Sequence, residues 1–378
     1  MKKLLGLIFF ATLSANAWGF EPTNIADQYP SLGRSLRPLG MGNAYLTMEG
    51  TDQSSFFYNP ASINDFDRGL SFGLVSPQLD FTTASIGLIK DIMDLSDDLS
   101  GQSDADQTTT FDTFFDQHVG EFHSLNLWLP LMSVQHRWFS LNLIADSRTS
   151  ISLRNRAFPN FEVYSRNDGG VAAGTAYGFL DNSLQVGLGL KFLYRAAFSE
   201  IITTADAIGD NFGDTFEWDN LRKGFGVGAD LGTKYQIPDF DTDVLDYLKP
   251  TVAVVWQDIG NTRFSGGAPK TQQSISAGVG FHPSFGPVDT SLDVDVREIN
   301  QKRDFMTKFH TGVEARFGKF WPIHPAIRAG INQGYPAFGA GFDTRIFKFN
   351  VAYYAEEVGK VTRQKGNYRL ATNLSFGF

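Results

Sequence analysis

Apolar and polar residues alternate at every second position along several long stretches of the chain. In residues 184–195, LQVGLGLKFLYR, apolar side chains fall on one face and polar residues or glycines on the other, with Leu193 as the exception. Residues 224–236 and 288–297 repeat this pattern. Because successive side chains of a β-strand point to opposite faces, each stretch predicts a strand with one apolar face and one polar or glycine face.

These stretches are longer than the strands of most soluble proteins. They run to about 10–14 residues, whereas soluble strands commonly have about 5–6. A strand of that length, tilted by about 40°, spans the hydrocarbon core of a bilayer. We predict about fourteen strands, the even number of a closed antiparallel barrel, near residues 68–79, 122–131, 137–146, 169–180, 184–196, 223–237, 248–258, 273–282, 287–297, 307–318, 325–333, 336–345, 346–355 and 367–378.

The connections between the strands are of two kinds. Residues 181–183 and 344–347 form tight turns, whereas 147–168 and 197–222 are long and polar. Short turns at one end and long loops at the other are typical of outer-membrane barrels. Residues 90–120 interrupt the alternation, and their spaced apolar residues predict one or two short amphipathic helices in the first extracellular loop. The expected fold class is therefore all-β: a transmembrane antiparallel barrel with a helical extracellular loop.

Both ends of the chain fit an exported barrel. MKKLLGLIFFATLSANA has two lysines, an apolar run and Ala15-x-Ala17, which predicts a signal peptide over residues 1–17. Elsewhere no stretch approaches 18 uninterrupted apolar residues, and the chain has no cysteine for disulfides. The last strand alternates up to Phe376 and Phe378, which resembles the terminal strand of outer-membrane proteins that the barrel-assembly machinery recognises. We expect a monomer in the outer membrane of a Gram-negative bacterium.

Residues 39–63, LGMGNAYLTMEGTDQSSFFYNPASI, have no regular period. They lie just before the first predicted strand, and a fourteen-stranded lumen is too wide for wall side chains to fill. We therefore predict three parts: the signal peptide, a hatch inside the lumen over residues 18–67, and the barrel over 68–378.

The same stretch resembles the start of the FadL-type outer-membrane channels for long-chain fatty acids and other hydrophobic compounds. The matching hatch residues are Gly40, Met41, Gly42, Asn59, Pro60 and Ala61. The resemblance implies a hatch inside a fourteen-stranded barrel and passive uptake of hydrophobic small molecules such as long-chain fatty acids. It also implies capture at the extracellular loops, a lumen site, a hatch rearrangement, and exit sideways or into the periplasm.

Two departures from that family affect the functional interpretation. Ser62 follows the Asn-Pro-Ala motif, where Gly or Ala is common, and the third strand, HRWFSLNLIADS, has no glycine or proline. In transport-competent members that strand carries a kink that opens the wall. PorV-like and TraF-like relatives share the same start and need not move lipid. The alternative function is therefore a barrel subunit or docking scaffold of a secretion or conjugation system.

Cations on the polar strand faces are candidates for ligand binding in the lumen. A fatty acid needs an apolar slot for its tail and one or two cations for its carboxylate. The candidates are Lys191, Arg195, Arg316 and Arg328. The alternative is an interior charge ladder in which such cations pair with Asp293, Asp295 and Glu314. Hatch and loop aromatics are candidates for the tail slot or for the core of the plug: Phe56, Phe57, Tyr58, Phe212, Phe216 and Trp218.

Other chemistry finds little support. A net charge of −9 argues against nucleic acid as a partner. G-x-S-x-G at 69–73 runs into an alternating strand, whereas a nucleophile elbow needs a strand-to-helix turn. The six histidines have no metal-binding spacing, and the glycines at 224–232 recur along one strand face instead of surrounding a phosphate. We therefore expect no enzyme, no cofactor and no metal site; the expected partners are outer-membrane lipid and a hydrophobic ligand.

Overall fold

Fourteen antiparallel strands form a closed β-barrel in the computed structural model. The structure describes residues 32–50, 54–66, 69–99, 104–154, 160–203, 221–238, 243–318, 323–344, 346–359 and 361–377. Each strand pairs with its neighbours in the chain, and the ladder closes where the last strand pairs with the first. The predicted all-β barrel and its strand number are thus confirmed. The strands are β1 (Ser71–Gly73 and Gln78–Thr82), β2 (Phe122–His136), β3 (Phe139–Arg154), β4 (Asn160–Phe179), β5 (Leu184–Thr203), β6 (Arg222–Gln236), β7 (Thr251–Gln257), β8 (Ser274–Phe281), β9 (Val288–Val296), β10 (Phe309–Phe317), β11 (His324–Asn332), β12 (Tyr335–Asp343), β13 (Phe347–Glu357) and β14 (Gly366–Phe376).

The helices form no part of the barrel wall. None of them, within the described ranges, is long and apolar enough to cross a membrane. They are α1 (Leu36–Gly40), α2 (Ser54–Tyr58), a 3₁₀ turn (Pro60–Asp65), α3 (Ser85–Leu99), α4 (Asp104–His118), α5 (Asp243–Leu248), a second 3₁₀ turn (Ser265–Gly267) and α6 (Phe305–Lys308).

The barrel wall is taller on one side than on the other. β4 and β5 have 20 residues each, whereas β9 to β12 have nine each. At about 3.3 Å per residue, β4 and β5 extend well beyond a bilayer at the end that carries the long loops. We call this the loop end, and the opposite end, with connections such as 180–183, the turn end.

The prediction of a loop at 147–168 is wrong, because residues 147–154 belong to β3 and residues 160–168 belong to β4. β3 pairs with β4 without interruption from Phe139–Thr175 to Arg154–Asn160. β5 likewise continues to Thr203, so only the later part of the predicted loop 197–222 can be a loop, and residues 204–220 lie outside the described residues. The apolar alternation ends where strands leave the bilayer, but ladder hydrogen bonds need no apolar side chains, so pairing continues further than the pattern.

The predicted helical loop between β1 and β2 contains α3 and α4. Each has 15 residues, so these helices are longer than expected. They pack on each other and on the raised part of the wall through Leu88, Phe114, Phe115 and Leu153, all of which are buried. The loop thus forms a fixed cover beside the mouth of the barrel at the loop end.

The outer surface of the barrel is apolar. Large apolar side chains on outward-facing strand positions are exposed all around the wall, for example Leu141, Phe192, Val227, Ile327 and Phe338. Monomeric soluble proteins rarely expose so continuous an apolar surface, whereas a transmembrane barrel has an outward apolar band. This surface faces lipid.

The lumen is occupied by the N-terminal part of the chain. Described residues 32–50 and 54–66, which we call the lumen segment, contain α1, α2 and the first 3₁₀ turn. Among them only Glu49 is exposed. The segment contacts the inner face of strands on every side of the barrel, so the candidate site is built where the segment meets the wall.

Candidate functional site

Charged side chains bind one side of the lumen segment to the wall. Arg37 donates from Nη2 to Glu314 Oε1 of β10 over 2.7 Å. The backbone N–H groups of Tyr45 and Leu46 donate to Asp295 Oδ2 of β9 over 2.6 and 3.1 Å. Hydrogen bonds to a charged partner contribute about 1.5–3 kcal/mol each, so these contacts hold α1 and the following turn firmly against β9 and β10.

Two further ion pairs hold the two ends of the segment. Arg34 pairs with Glu356 of β13, and Asp65 pairs with Lys234 of β6. Burial alone would lower the pKa of Arg34, but attraction to Glu356 outweighs it and raises that pKa above its ordinary value. The guanidinium therefore stays charged inside the lumen.

Wall glycines let the segment approach the strands closely. A Cβ at Gly312 of β10 would lie 2.1 Å from Met41 O, and one at Gly330 of β11 would lie 2.6 Å from Gly42 N. On β5, a Cβ at Gly187 would lie 2.3 Å from the carbonyl carbon of Pro60. Real Cβ atoms essentially never come closer than 3.0 Å to such atoms. Glycine at these strand positions is thus required by backbone approach.

The opposite side of the segment meets an apolar patch on the lumen face of β2 to β5. This face is otherwise polar, but each of the four strands contributes at least one buried apolar residue. The wall residues of the patch are Trp128, Ile144, Ala172, Ala176 and Leu193, and the residues of the lumen segment packed on them are Leu32, Phe56, Phe57 and Ile63. Phe57 contacts Trp128 edge-on, with 5.3 Å between ring centroids. We call this set the apolar lumen patch.

A belt of charged residues adjoins the patch on its loop-end side. It comprises Asp146 and Arg148 of β3, Arg166 and Asp168 of β4, and Arg195 of β5, all of them buried. Arg195 donates to both oxygens of Asp168 over 2.6 and 2.9 Å, and its guanidinium lies 4.0 Å from the ring centroid of Phe264. Since Phe264 also packs on the patch, the belt and the patch are in direct contact.

The wall is irregular beside this patch. β1 is interrupted from Leu74 to Pro77, and the β2–β3 ladder shifts register between Pro130 and Met132. Neither proline has a backbone N–H for the ladder. The two irregularities touch, because Ser76 N–H donates to Pro130 O over 2.9 Å. β3, which lacks glycine and proline in the stretch considered above, pairs with β4 without interruption, so the irregularity of the wall lies one or two strands earlier.

The four cations predicted to bind ligand lie in three places, each with carboxylate partners. Lys191 lies between Asp230 and Asp258, at 2.9 and 2.7 Å. Arg195 belongs to the belt. Arg328 and Arg316 both contact Glu314, at 2.6 and 3.4 Å, together with Arg37 of the lumen segment. Of the three carboxylates named for an interior charge ladder, Glu314 contacts Arg316 and Arg328, whereas Lys191 and Arg195 pair with other carboxylates. Of the four cations, only Arg195 also lies beside the patch, through Phe264.

The predicted hatch residues lie at two places in the lumen segment. Gly40, Met41 and Gly42 lie at the end of α1 against β10 to β12, where Gly42 has φ +64°. Asn59 caps the 3₁₀ turn that begins with Pro60 and Ala61, and its side chain donates to Leu46 O over 2.9 Å. The motif thus joins two distant parts of the segment.

Several predictions fall on other parts of the chain. Phe376 ends β14, whereas Phe378, the signal peptide and three loop aromatics (Phe212, Phe216 and Trp218) lie outside the described residues. The assignment of Phe376 and Phe378 as an assembly signal and the three-part division of the chain stay predictions.

Sequence reasoning missed the apolar lumen patch, although a signal for it exists. Leu193 breaks the alternation of its strand, between Lys191 and Arg195 on the polar face. Trp128 and Ile144 likewise share a face with polar residues, as with Asn142 and Asp146 around Ile144. An apolar residue out of phase on several consecutive strands would have indicated an apolar site inside the lumen.

Comparison with known proteins gives similarity in fold. No family model and no curated protein matches the chain. Among solved structures, the CymD monoaromatic hydrocarbon channel matches with 12% identity and a TM-score of 0.51, over 91% of this chain and 97% of that chain. The Pseudomonas putida toluene transporter TodX matches with 10% identity and a TM-score of 0.51, over 91% and 98%.

CymD and TodX are FadL-family outer-membrane channels, so the resemblance drawn from residues 39–63 is confirmed at the level of the fold. The closed barrel and its apolar outer surface place the chain in the outer membrane of a Gram-negative bacterium, as predicted.

Proposed function

We propose that the chain is an outer-membrane channel through which hydrophobic small molecules enter the cell passively. The main support for this proposal is the apolar lumen patch. A lumen that conducts only water and ions is lined by polar residues and needs no buried apolar surface across four consecutive wall strands. The likeness in fold to channels named for monoaromatic hydrocarbons and toluene supports the same class of ligand.

We place the path between the apolar lumen patch and the lumen segment. On the side of β9 and β10 the segment is bound by Glu314 and Asp295, so its displacement there would break several charged hydrogen bonds at once. On the patch side, Phe56 and Phe57 pack against apolar wall residues. Exchange of these apolar contacts for contacts with an apolar ligand costs far less than breaking buried ion pairs. The interruption of β1 at Leu74–Pro77 then offers a way sideways into the bilayer.

Long-chain fatty acids are the finer proposal for the ligand. The tail would lie on the patch, and the carboxylate would reach the belt, where Arg195 already accommodates a carboxylate with two parallel hydrogen bonds. An aromatic hydrocarbon would use the patch alone. Arg195 therefore separates the two kinds of ligand.

The test is uptake of radiolabelled toluene and of a labelled long-chain fatty acid by cells that express the chain. Ile144→Thr places a hydroxyl in the patch and should slow uptake of both compounds. Val255→Thr is the matched control, because Val255 is also buried on the lumen face, but on β7, where it packs with Leu46. Equal uptake by the two variants, with equal amounts of folded barrel, would contradict the proposed path.

The interlocking of segment and wall favours a second candidate, a closed barrel that serves as docking scaffold of a secretion or conjugation system. Buried ion pairs and glycine contacts fix the segment on several strands. For a scaffold, cells expressing the chain would take up both labelled compounds no faster than cells without it, and that result would replace the channel proposal with this one.

A further inference from the structure

A serine, a histidine and a glutamate form one hydrogen-bonded row at the loop end, beside the first turn of α3. Ser85 Oγ, at the start of α3, lies 3.2 Å from His123 Nδ1 of β2. The other ring nitrogen, His123 Nε2, lies 3.1 Å from Glu121 Oε2. A hydroxyl next to a base, with the base oriented by a carboxylate, is the arrangement that serine hydrolases use for acyl transfer.

The chain around the serine runs from a strand through a tight turn into a helix. β1 ends at Thr82 and α3 begins at Ser85, so residues 83–87 read Thr-Ala-Ser-Ile-Gly. This is the strand-to-helix turn that the motif at 69–73 lacks. An added Cβ at Gly87 would meet nothing within 4 Å, so the surface beside the serine is open. The first turn of a helix also leaves backbone N–H groups without a helix carbonyl, and such groups stabilise negative charge on an acyl oxygen.

Glu121 sets the tautomer of His123. Glu121 Oε2 also lies 2.8 Å from His118 Nδ1. A carboxylate oxygen only accepts, so both ring nitrogens donate to it, and a neutral His123 carries its proton on Nε2. Its Nδ1 then has the lone pair that accepts the proton of Ser85. Burial lowers the pKa of His123; Glu121 opposes this shift, whereas His118 and Lys365 add to it. The ring is therefore neutral at pH 7, as a general base must be.

The row lies on the outer face of the wall, where the wall rises out of the bilayer. His123 pairs with Ile151, in the part of β3 that extends beyond the bilayer. It shares its strand face with the lipid-facing Leu125, which is 53% exposed, and not with Trp128 of the apolar lumen patch. Ile86, next to the serine, is 62% exposed. A lipid in the adjoining leaflet, with its acyl chain along the apolar wall, thus places its ester at the level of the row.

We propose that Ser85, His123 and Glu121 hydrolyse acyl esters of lipids in the leaflet at the loop end. Ser85 Oγ attacks the acyl carbonyl carbon while its proton passes to His123 Nδ1. The ester C–O bond breaks, and the lipid alcohol leaves with that proton. Water then attacks the acyl-serine and gives a proton to His123, and the fatty acid leaves as that proton returns to Ser85 Oγ. The site lies outside the lumen, so this activity is separate from passage through the barrel.

A fluorophosphonate probe, which reacts covalently with activated serines, tests the nucleophile in the detergent-purified full chain. Peptide mass spectrometry should find the label on Ser85, and Ser85→Ala should remove it. Thr83→Ala is the matched control and should keep the label, because the Thr83 hydroxyl donates to Tyr368 O and takes no part in the row. His123→Gln should remove the label and leave the heat-modifiability of the barrel unchanged.

Release of fatty acid from membranes tests the reaction and identifies the ester. Vesicles of phosphatidylethanolamine and vesicles that contain lipopolysaccharide offer two sources, and the unaltered protein should release fatty acid from at least one. Ser85→Ala should lower the rate about a thousandfold or more. Glu121→Gln should lower kcat and move the acidic limb of the pH profile to lower pH, because loss of the carboxylate lowers the pKa of His123 further. Release from neither source, equal labelling of Ser85→Ala and Thr83→Ala, or an acidic limb that does not move would each overturn the proposal.

Discussion

Gly312 offers the sharpest test of how the lumen segment is held. In Gly312→Ala, the added Cβ would lie 2.1 Å from Met41 O and 2.6 Å from Met41 C. Both are backbone atoms, so no side-chain rotation relieves the overlap. To reach the shortest contact that real Cβ atoms show, 3.0 Å, the segment must move from the wall by roughly 1 Å.

A shift of that size removes hydrogen bonds that follow Met41 in the chain. The N–H groups of Tyr45 and Leu46 donate to the carboxylate of Asp295, and Gly42 O contacts His310 Nδ1 at 3.0 Å. Loss of the two carboxylate bonds alone costs about 3–6 kcal/mol. At 1.4 kcal/mol per factor of ten, even the lower value raises the displaced fraction of the segment more than about a hundredfold. The wall keeps its own ladder and stays folded.

Conductance measures this displacement directly. In planar bilayers, Gly312→Ala should show larger or more frequent openings than the unaltered protein, and cells should become sensitive to large hydrophilic antibiotics. Gly169→Ala is the control, because Gly169 is also a strand glycine, on β4, and its added Cβ would meet nothing within 4 Å. Equal conductance of the two variants, with equal folded protein, would refute the view that backbone approach at Gly312 holds the segment.

Three more predictions test the path and assembly. Arg195→Gln should slow uptake of a long-chain fatty acid more than that of toluene; an equal effect on both would remove the role of the belt. The hydroxyls of Ser76 and Ser375 meet across the interruption of β1, so Ser76→Cys with Ser375→Cys should form a disulfide in this cysteine-free chain. If ligand leaves there, uptake should fall and recover with reductant; uptake that ignores reductant would move the exit elsewhere. Deletion of Phe378 should lower the heat-modifiable protein in outer-membrane fractions, and unchanged amounts would argue against the assembly signal.

The strands and the faces they present follow from the residue pattern alone. The alternation in 184–195 and 224–236 reports which side chains lie outward, because a strand places neighbours on opposite faces whatever it pairs with. The even number of strands and their length are typical of a closed barrel in a membrane. The alternation of apolar and polar residues was weakest where strands leave the bilayer, as in β3 and β4, because a strand outside the bilayer needs no apolar face.

How the lumen is filled depends on contacts between residues that lie far apart in the chain. Arg37 contacts Glu314 across 277 positions of the chain. Position 312 requires glycine because the backbone of Met41 lies against it, and no local sequence pattern links these two residues. The apolar lumen patch likewise depends on the register of β2 to β5 and on the position of the lumen segment, which together bring Leu193 and Trp128 to one surface beneath Phe57. Periodicity tells which face a residue shares with its neighbours, but the partner of that face depends on register and closure, which are properties of the assembled barrel.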